Sequence, residues 1–180
     1  MTFSSFPDSS HLYFVTATVC GCKPLFREPV LAKGVLDCLS WLRRERRMLL
    51  FAFVLMPSHL HAILQPLDRT VGDLLQDFGS YTAHRLLTEL RRLGWSRMLD
   101  GFQALRRDSR HSHSVWQDIQ AKNIHSRAFL KQKLEYVHNN PLRSKRLELR
   151  VRADYVLSSA SFFDYGLPCV IPLDDVRAWL

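Results

Sequence analysis

Hydrophobic and polar positions change period along this chain in a way that marks its elements. From Leu12 to Val19 they alternate, with Tyr13, Val15, Ala17 and Val19 on one face and Thr16 and Thr18 on the other, which predicts a strand. Leu31, Val35, Cys38, Leu39 and Leu42 then recur at helical spacing, predicting a helix over 30–47 whose last turns carry Arg43, Arg44, Arg46 and Arg47, where cations suit the dipole. Met48 to Leu55 is apolar throughout, as in a central strand covered on both faces. Pro57-Ser58 turns the chain into a strand over 59–65, where His59, His61, Ile63 and Gln65 share one face and Leu60, Ala62 and Leu64 the other. Thr70 caps a helix over 71–93 with stripe residues Val71, Leu74, Leu75, Phe78, Leu86 and Leu90, and Gly94 ends it.

The second half reads less sharply. Residues 95–113 are polar, basic and rich in Ser and His, which predicts a loop. Val115-Trp116-Gln117 predicts a short edge strand. Ser126 caps a helix running to about Asn139, with Leu130, Leu134 and Val137 inward, and Pro141 stops it. Asp154 to Tyr165 reads as irregular structure packed by aromatics, and Asp174 to Leu180 as a helical turn or two. The order β-α-β-β-α-β, with a tight hairpin between the second and third strands, is the split βαβ pattern. It predicts an α+β fold, a ferredoxin-like antiparallel sheet with two helices on one face and an added helix carrying Tyr136. The histidines then project from the face opposite those two helices, beside Thr16 or Thr18.

Composition narrows the setting. A chain of 180 residues, 47% apolar, reads as one domain over 1–180, with a core at about 11–140 and a basic C-terminal extension at 141–180. Four unevenly spaced cysteines, no signal-like start and a longest apolar run (48–56) too short for a membrane predict a reduced, cytoplasmic, nucleoid-associated protein with no membrane partner. The formal charge of +8 is lopsided. Residues 1–90 hold nine Lys and Arg against eight Asp and Glu, whereas residues 91–180 hold sixteen against nine. Such a basic half suggests a polyanion, most often nucleic acid, with Arg106, Arg107, Lys133, Arg143, Lys145 and Arg146 as candidate backbone contacts.

The chemistry centres on His59-Leu60-His61. Imidazoles two apart on a strand sit roughly 6.6 Å apart along the backbone on one face and can close on one divalent ion. On the last predicted helix, Tyr136 shares a face with Gln132, Lys133 and, one turn on, Asn140, so a tyrosine and an amide could meet one metal-bound phosphate. A second His-x-His pair, His111 and His113, lies in the polar loop and reads as solvated.

Met56-Pro57-Ser58-His59-Leu60-His61 and Tyr136-Val137-His138-Asn139-Asn140-Pro141 together resemble the HUH single-tyrosine transposases, and more narrowly the REP-associated tyrosine transposase branch. Phe14-Val15-Thr16, Phe78-Gly79-Ser80-Tyr81-Thr82, Val115-Trp116-Gln117, Tyr155 and Ser158-Ser159-Ala160 support the likeness, which covers roughly residues 11 to 165. The resemblance implies a Mg²⁺ or Mn²⁺ site held by His59, His61 and Asn140, with Tyr136 as nucleophile. It implies cleavage and strand transfer on single-stranded hairpin DNA through a 5′-phosphotyrosine, with no nucleotide cofactor, by a monomer or a homodimer. Gly79 stands where the family usually has lysine, Leu157 where it usually has tryptophan, and Ser144-Lys145 where a glycine usually follows. The competing expectation is a non-catalytic binder of structured nucleic acid on the same sheet; a rolling-circle initiator or relaxase fits less well because those proteins are usually larger.

Overall fold

A computed structural model describes residues 11–105, 114–144 and 147–180. The alternation at the start of the chain forms β1 (Leu12–Val19), and the arginine-ended helix is α1 (Pro29–Arg44), with proline at its first position, where no backbone donor is needed. β2 (Met48–Met56) and β3 (His59–Pro66) make the hairpin. α2 (Val71–Arg92) starts at Thr70, whose Oγ1 accepts from Asp73 N at 3.1 Å, and stops at Gly94, whose φ of +71° favours glycine. β4 (Trp116–Ile124) is followed by α4 (Arg127–Asn139), capped by Ser126 Oγ accepting from Phe129 N. The predicted fold class is the observed one: an α+β arrangement around a four-stranded sheet ordered β2-β3-β1-β4, all pairs antiparallel.

The sheet separates two cores. On one face Tyr13, Val15, Ala17, Leu60, Ala62 and Leu64 pack under α1 and α2. On the other, Leu12, Phe14, Val54 and Ile63 meet Leu130, Leu134 and Val137 of α4. In β2, register slips between Leu50 and Ala52, so Phe51 and Ala52 both serve the α4 side while Leu50 and Phe53 serve the α1–α2 side. Among the described residues no helix is long and apolar enough to cross a membrane.

Three expectations need correction, two of them between α2 and α4. Residues 96–104 form a helix, α3 (Ser96–Ala104), where a loop was expected, because Trp95, Met98, Leu99 and Phe102 recur at helical spacing and seat Phe102 in the core. His111 and His113 lie outside the described residues. The edge strand is nine residues long, not three. A bulge at Gln117 puts Trp116 on the same face as Ile119, which breaks the two-residue period that would have announced it.

The segment after α4 is built into both cores: Ile171 joins the helix-side cluster, while Val176, with Leu147, Tyr155 and Phe163 against it, joins the other. It runs along the outer side of β2. Leu55 N donates to Leu157 O, Ser158 bridges Val54, Ser159 N donates to Phe53 O, and Leu50 N donates to Asp174 Oδ2. Arg43 holds Asp174 through two bonds of 2.9 Å. Residues 160–165, expected to be irregular, form α5 (Ala160–Tyr165).

Candidate active site

The site begins at the turn before β3. Pro57 O accepts from Phe26 N and Ser58 O from Val19 N, both at 2.9 Å, which fixes the entry of the strand. His59 and His61 then face away from α1 and α2, as the alternation predicts, with ring centroids 4.9 Å apart. β1 lies alongside, pairing Thr16 with His61 and Thr18 with His59. Thr16 Oγ1 is 3.0 Å from His61 Nδ1, and Phe14 stacks on the same ring at 5.3 Å and 21°. Ser58 Oγ is 3.3 Å from His59 Nδ1.

α4 crosses this face and delivers the other groups. Tyr136 is half-buried, its ring edge-on to His61 at 5.1 Å and to Phe14 at 5.7 Å. One turn on, Asn140 Oδ1 is 3.3 Å from His59 Nε2. Lys133 Nζ lies 5.3 Å from the Tyr136 ring centroid and the Arg143 guanidinium carbon 5.2 Å. One chain therefore gathers His59, His61, Tyr136, Asn140, Lys133 and Arg143. Arg106, Arg107, Lys145 and Arg146 lie outside the described residues.

The electrostatics keep both imidazoles neutral. Burial pushes His61 down to about 3, with His59 and Lys133 adding to the effect; burial also lowers His59, against a weaker opposite pull from Asn140. A neutral imidazole offers one lone pair. A hydroxyl stands at each Nδ1 and can either donate or accept there, whereas His59 Nε2 donates to the Asn140 amide oxygen, so His59 would have to shift that proton to Nδ1 before its Nε2 could ligate a metal. Two imidazoles and the Asn140 amide oxygen are neutral groups that could together hold one divalent ion, the amide oxygen being of the type that Mn²⁺ and Mg²⁺ prefer. The set is uncharged, so a divalent ion there would keep its charge for an incoming phosphate. Among the described residues no group of three or more His, Cys, Asp or Glu could hold a metal.

Two partners of the site were not legible as such in the sequence, Ser58 and Phe14, and neither was the scaffold role of His138. His138 sits in the motif yet faces away from the site, 1% exposed, with Nε2 2.9 Å from Ser159 Oγ. The supporting segments also turn out to hold the scaffold. Trp116 Nε1 donates to Thr82 Oγ1 at 3.0 Å, joining β4 to α2. A Cβ at Gly79 would meet Ile119 Cδ1 at 2.8 Å on the α1–α2 side of the sheet, so this glycine is a packing position beneath the sheet, and its departure from the family pattern touches nothing at the site.

Burial of neutral histidines makes stability depend on pH. His138 is pushed down to about 4, mainly by burial and then by Arg152. A depressed folded value means that the unfolded chain binds protons first. Stability is therefore full above about pH 6.5 and falls as pH drops towards 4, by a few kcal/mol for the pair His61 and His138. Urea unfolding at pH 7.5 and pH 4.5 checks this; equal midpoints would refute it.

No protein-family model matches the sequence, and no curated protein matches it. Among solved structures, a REP-associated tyrosine transposase bound to a REP hairpin is similar, with TM-score 0.61 and 15% identity over 98% of this chain and 93% of that one. A candidate transposase from Deinococcus radiodurans R1 gives TM-score 0.46 and 17% identity over 74% of this chain and 92% of that one. At such identity the first likeness speaks for architecture: this chain has the fold of a REP-associated tyrosine transposase.

Proposed function

We propose that the protein cleaves and rejoins single-stranded DNA next to a hairpin, using Tyr136 as nucleophile and Mg²⁺ or Mn²⁺ held by His59, His61 and Asn140. The observation that carries this reading is the meeting of Tyr136 with the two neutral histidines and Asn140 on one patch. Bound there, the ion would neutralise phosphate charge and stabilise the crowded transition state. Thr16 and Ser58 brace the imidazoles at their Nδ1 atoms. His61 and Phe14 hold the tyrosine ring edge-on, and Lys133 and Arg143 draw the phosphate to it. Tyr136 Oη bonds to phosphorus as the P–O3′ bond breaks; the phenolic proton goes to water and the departing 3′-oxygen takes one up. A tyrosyl ester of the 5′-phosphate keeps the bond energy, so a 3′-hydroxyl can reverse the step without a nucleotide. Because Tyr136 meets the histidines of its own chain, the arrangement supports chemistry within one protomer. The hairpin in the similar solved structure supports hairpin DNA as the substrate class.

The contact of His59 Nε2 with Asn140 Oδ1 favours one second reading, a non-catalytic hairpin binder whose ligand positions satisfy each other. Labelled hairpin DNA with single-stranded flanks, incubated with protein and Mn²⁺ and then digested with protease, separates the two. A DNA–peptide adduct at Tyr136 that chelator abolishes is expected. Hairpin binding with no adduct would leave the binder.

A further inference from the structure

Beyond the metal-side donors, α4 carries a row of rings and cations. Phe129, Lys133 and Tyr136 succeed one another at intervals of four and three residues along one ridge of α4, and His125, just before the helix, lies at the start of that ridge. His125 stacks on Phe129 at 5.1 Å and 23°. Lys133 Nζ lies 5.1 Å from the Phe129 centroid and 4.5 Å from that of Phe14. Phe14 pairs across the sheet with Lys122 of β4, which brings a second cation to the same face. Burial, and then Lys122, lower the Lys133 pKa. With the described residues neither lysine forms an ion pair. At the far end His125, His11, Asn123, Arg127 and Trp179 line a cavity of about 430 Å³ at the start of α4. From Phe129 to Tyr136 the helix rises about 10 Å.

This alternation suits one kind of ligand. Two neighbouring lysines without acidic partners among the described residues repel each other until an anion lies between them. Rings beside cations are surfaces on which nucleobases stack, whatever their sequence. An apolar protein segment would leave the lysines unmatched. From this juxtaposition we infer that the ridge His125–Phe129–Lys133 is a track for the unpaired nucleotides on one side of the scissile phosphate. Lys122 and Lys133 take phosphates, His125 and Phe129 lie under bases, and the cavity beside Arg127 receives the last base. The inference rests on the reading of Tyr136 as nucleophile, and it names the part of the substrate that reading leaves open. The track supplies affinity and direction, not sequence choice.

The test reads binding alone, without metal. Hairpin DNA carrying a single-stranded extension with 2-aminopurine at successive positions is titrated with the full chain and with His125→Ala/Phe129→Leu. Leucine keeps apolar bulk against the core, and His125→Ala alone serves as a variant at an exposed position that leaves packing intact. Fluorescence quenching at positions within a few nucleotides of the stem is expected on one flank. The double variant should abolish it and weaken the extended DNA about tenfold, while the hairpin without extension binds as before. Unchanged quenching and affinity in the double variant would overturn the track, and so would preference for an RNA extension over the DNA one. Since no cleavage is scored, a missing tyrosyl adduct leaves this result standing, and a failed track leaves the nucleophile untouched.

Discussion

Tyr136→Phe should leave the protein folded and bound to DNA but cut formation of the covalent adduct by about four orders of magnitude or more. The ring's edge contacts with His61 at 5.1 Å and Phe14 at 5.7 Å need no hydroxyl, so packing survives and only the attacking oxygen is lost. The measurement is single-turnover adduct formation on labelled hairpin DNA, with binding followed in parallel. Tyr155 and Tyr81 offer little rescue. Tyr155 donates its hydroxyl to Leu55 O, and burial pushes its pKa up to about 12. Tyr81 is exposed on α2, across the sheet from the histidines. An adduct that forms at the parental rate in the Phe variant would therefore remove the single-tyrosine reading altogether.

His138→Ala should act in the opposite way, costing about 3 kcal/mol of folding stability while leaving the chemistry of the folded protein within about threefold. Its Nε2–H donates to Ser159 Oγ, which also accepts from Phe53 N at 2.9 Å and donates to Phe53 O at 3.1 Å. Removing the imidazole empties a buried space against Phe163, whose ring centroid lies 4.6 Å away, and leaves that hydroxyl one partner short. Arg152, bonded to Glu135 and Asp164, ties the same helix to the same segment. Urea midpoints and adduct rates per folded molecule give the two readouts. Unchanged stability with a collapsed rate would place His138 in the reaction.

The contrast between these two residues shows what the sequence could carry. Both stand in one motif, two positions apart, and a helix turns such neighbours to different sides, so the motif alone cannot say which one meets substrate. Local pattern sufficed wherever one period ran unbroken: β1, the histidine strand, α2 with its Thr70 cap, α4 with its Ser126 cap. It failed where geometry interrupts the period. Phe51 bulges inside an all-apolar run, so nothing in that run betrays the change of side. Gln117 bulges among polar residues, which hid most of β4. α3 hid because its four apolar residues are diluted by Arg, Ser and Asp. At the site, the pairing of Thr16 with His61 followed from topology once β1 and β3 were neighbours. Contact of His59 with Asn140, and the hydroxyl of Ser58 on His59, depend on how α4 crosses the sheet and how the turn is braced, and no local period encodes either.

The strip 157–159 and Asp174 along β2 also decides how this sheet can meet another. With Leu50, Phe53 and Leu55 already satisfied there, β4 is the sheet's remaining unpaired border among the described residues. A sheet with two open borders can add molecules without limit, as fibres do; one with a single open border can only join a second copy border to border and then stop. The strip that holds Ser159 against His138 of the tyrosine helix thus caps the length of any assembly built by strand pairing at two chains.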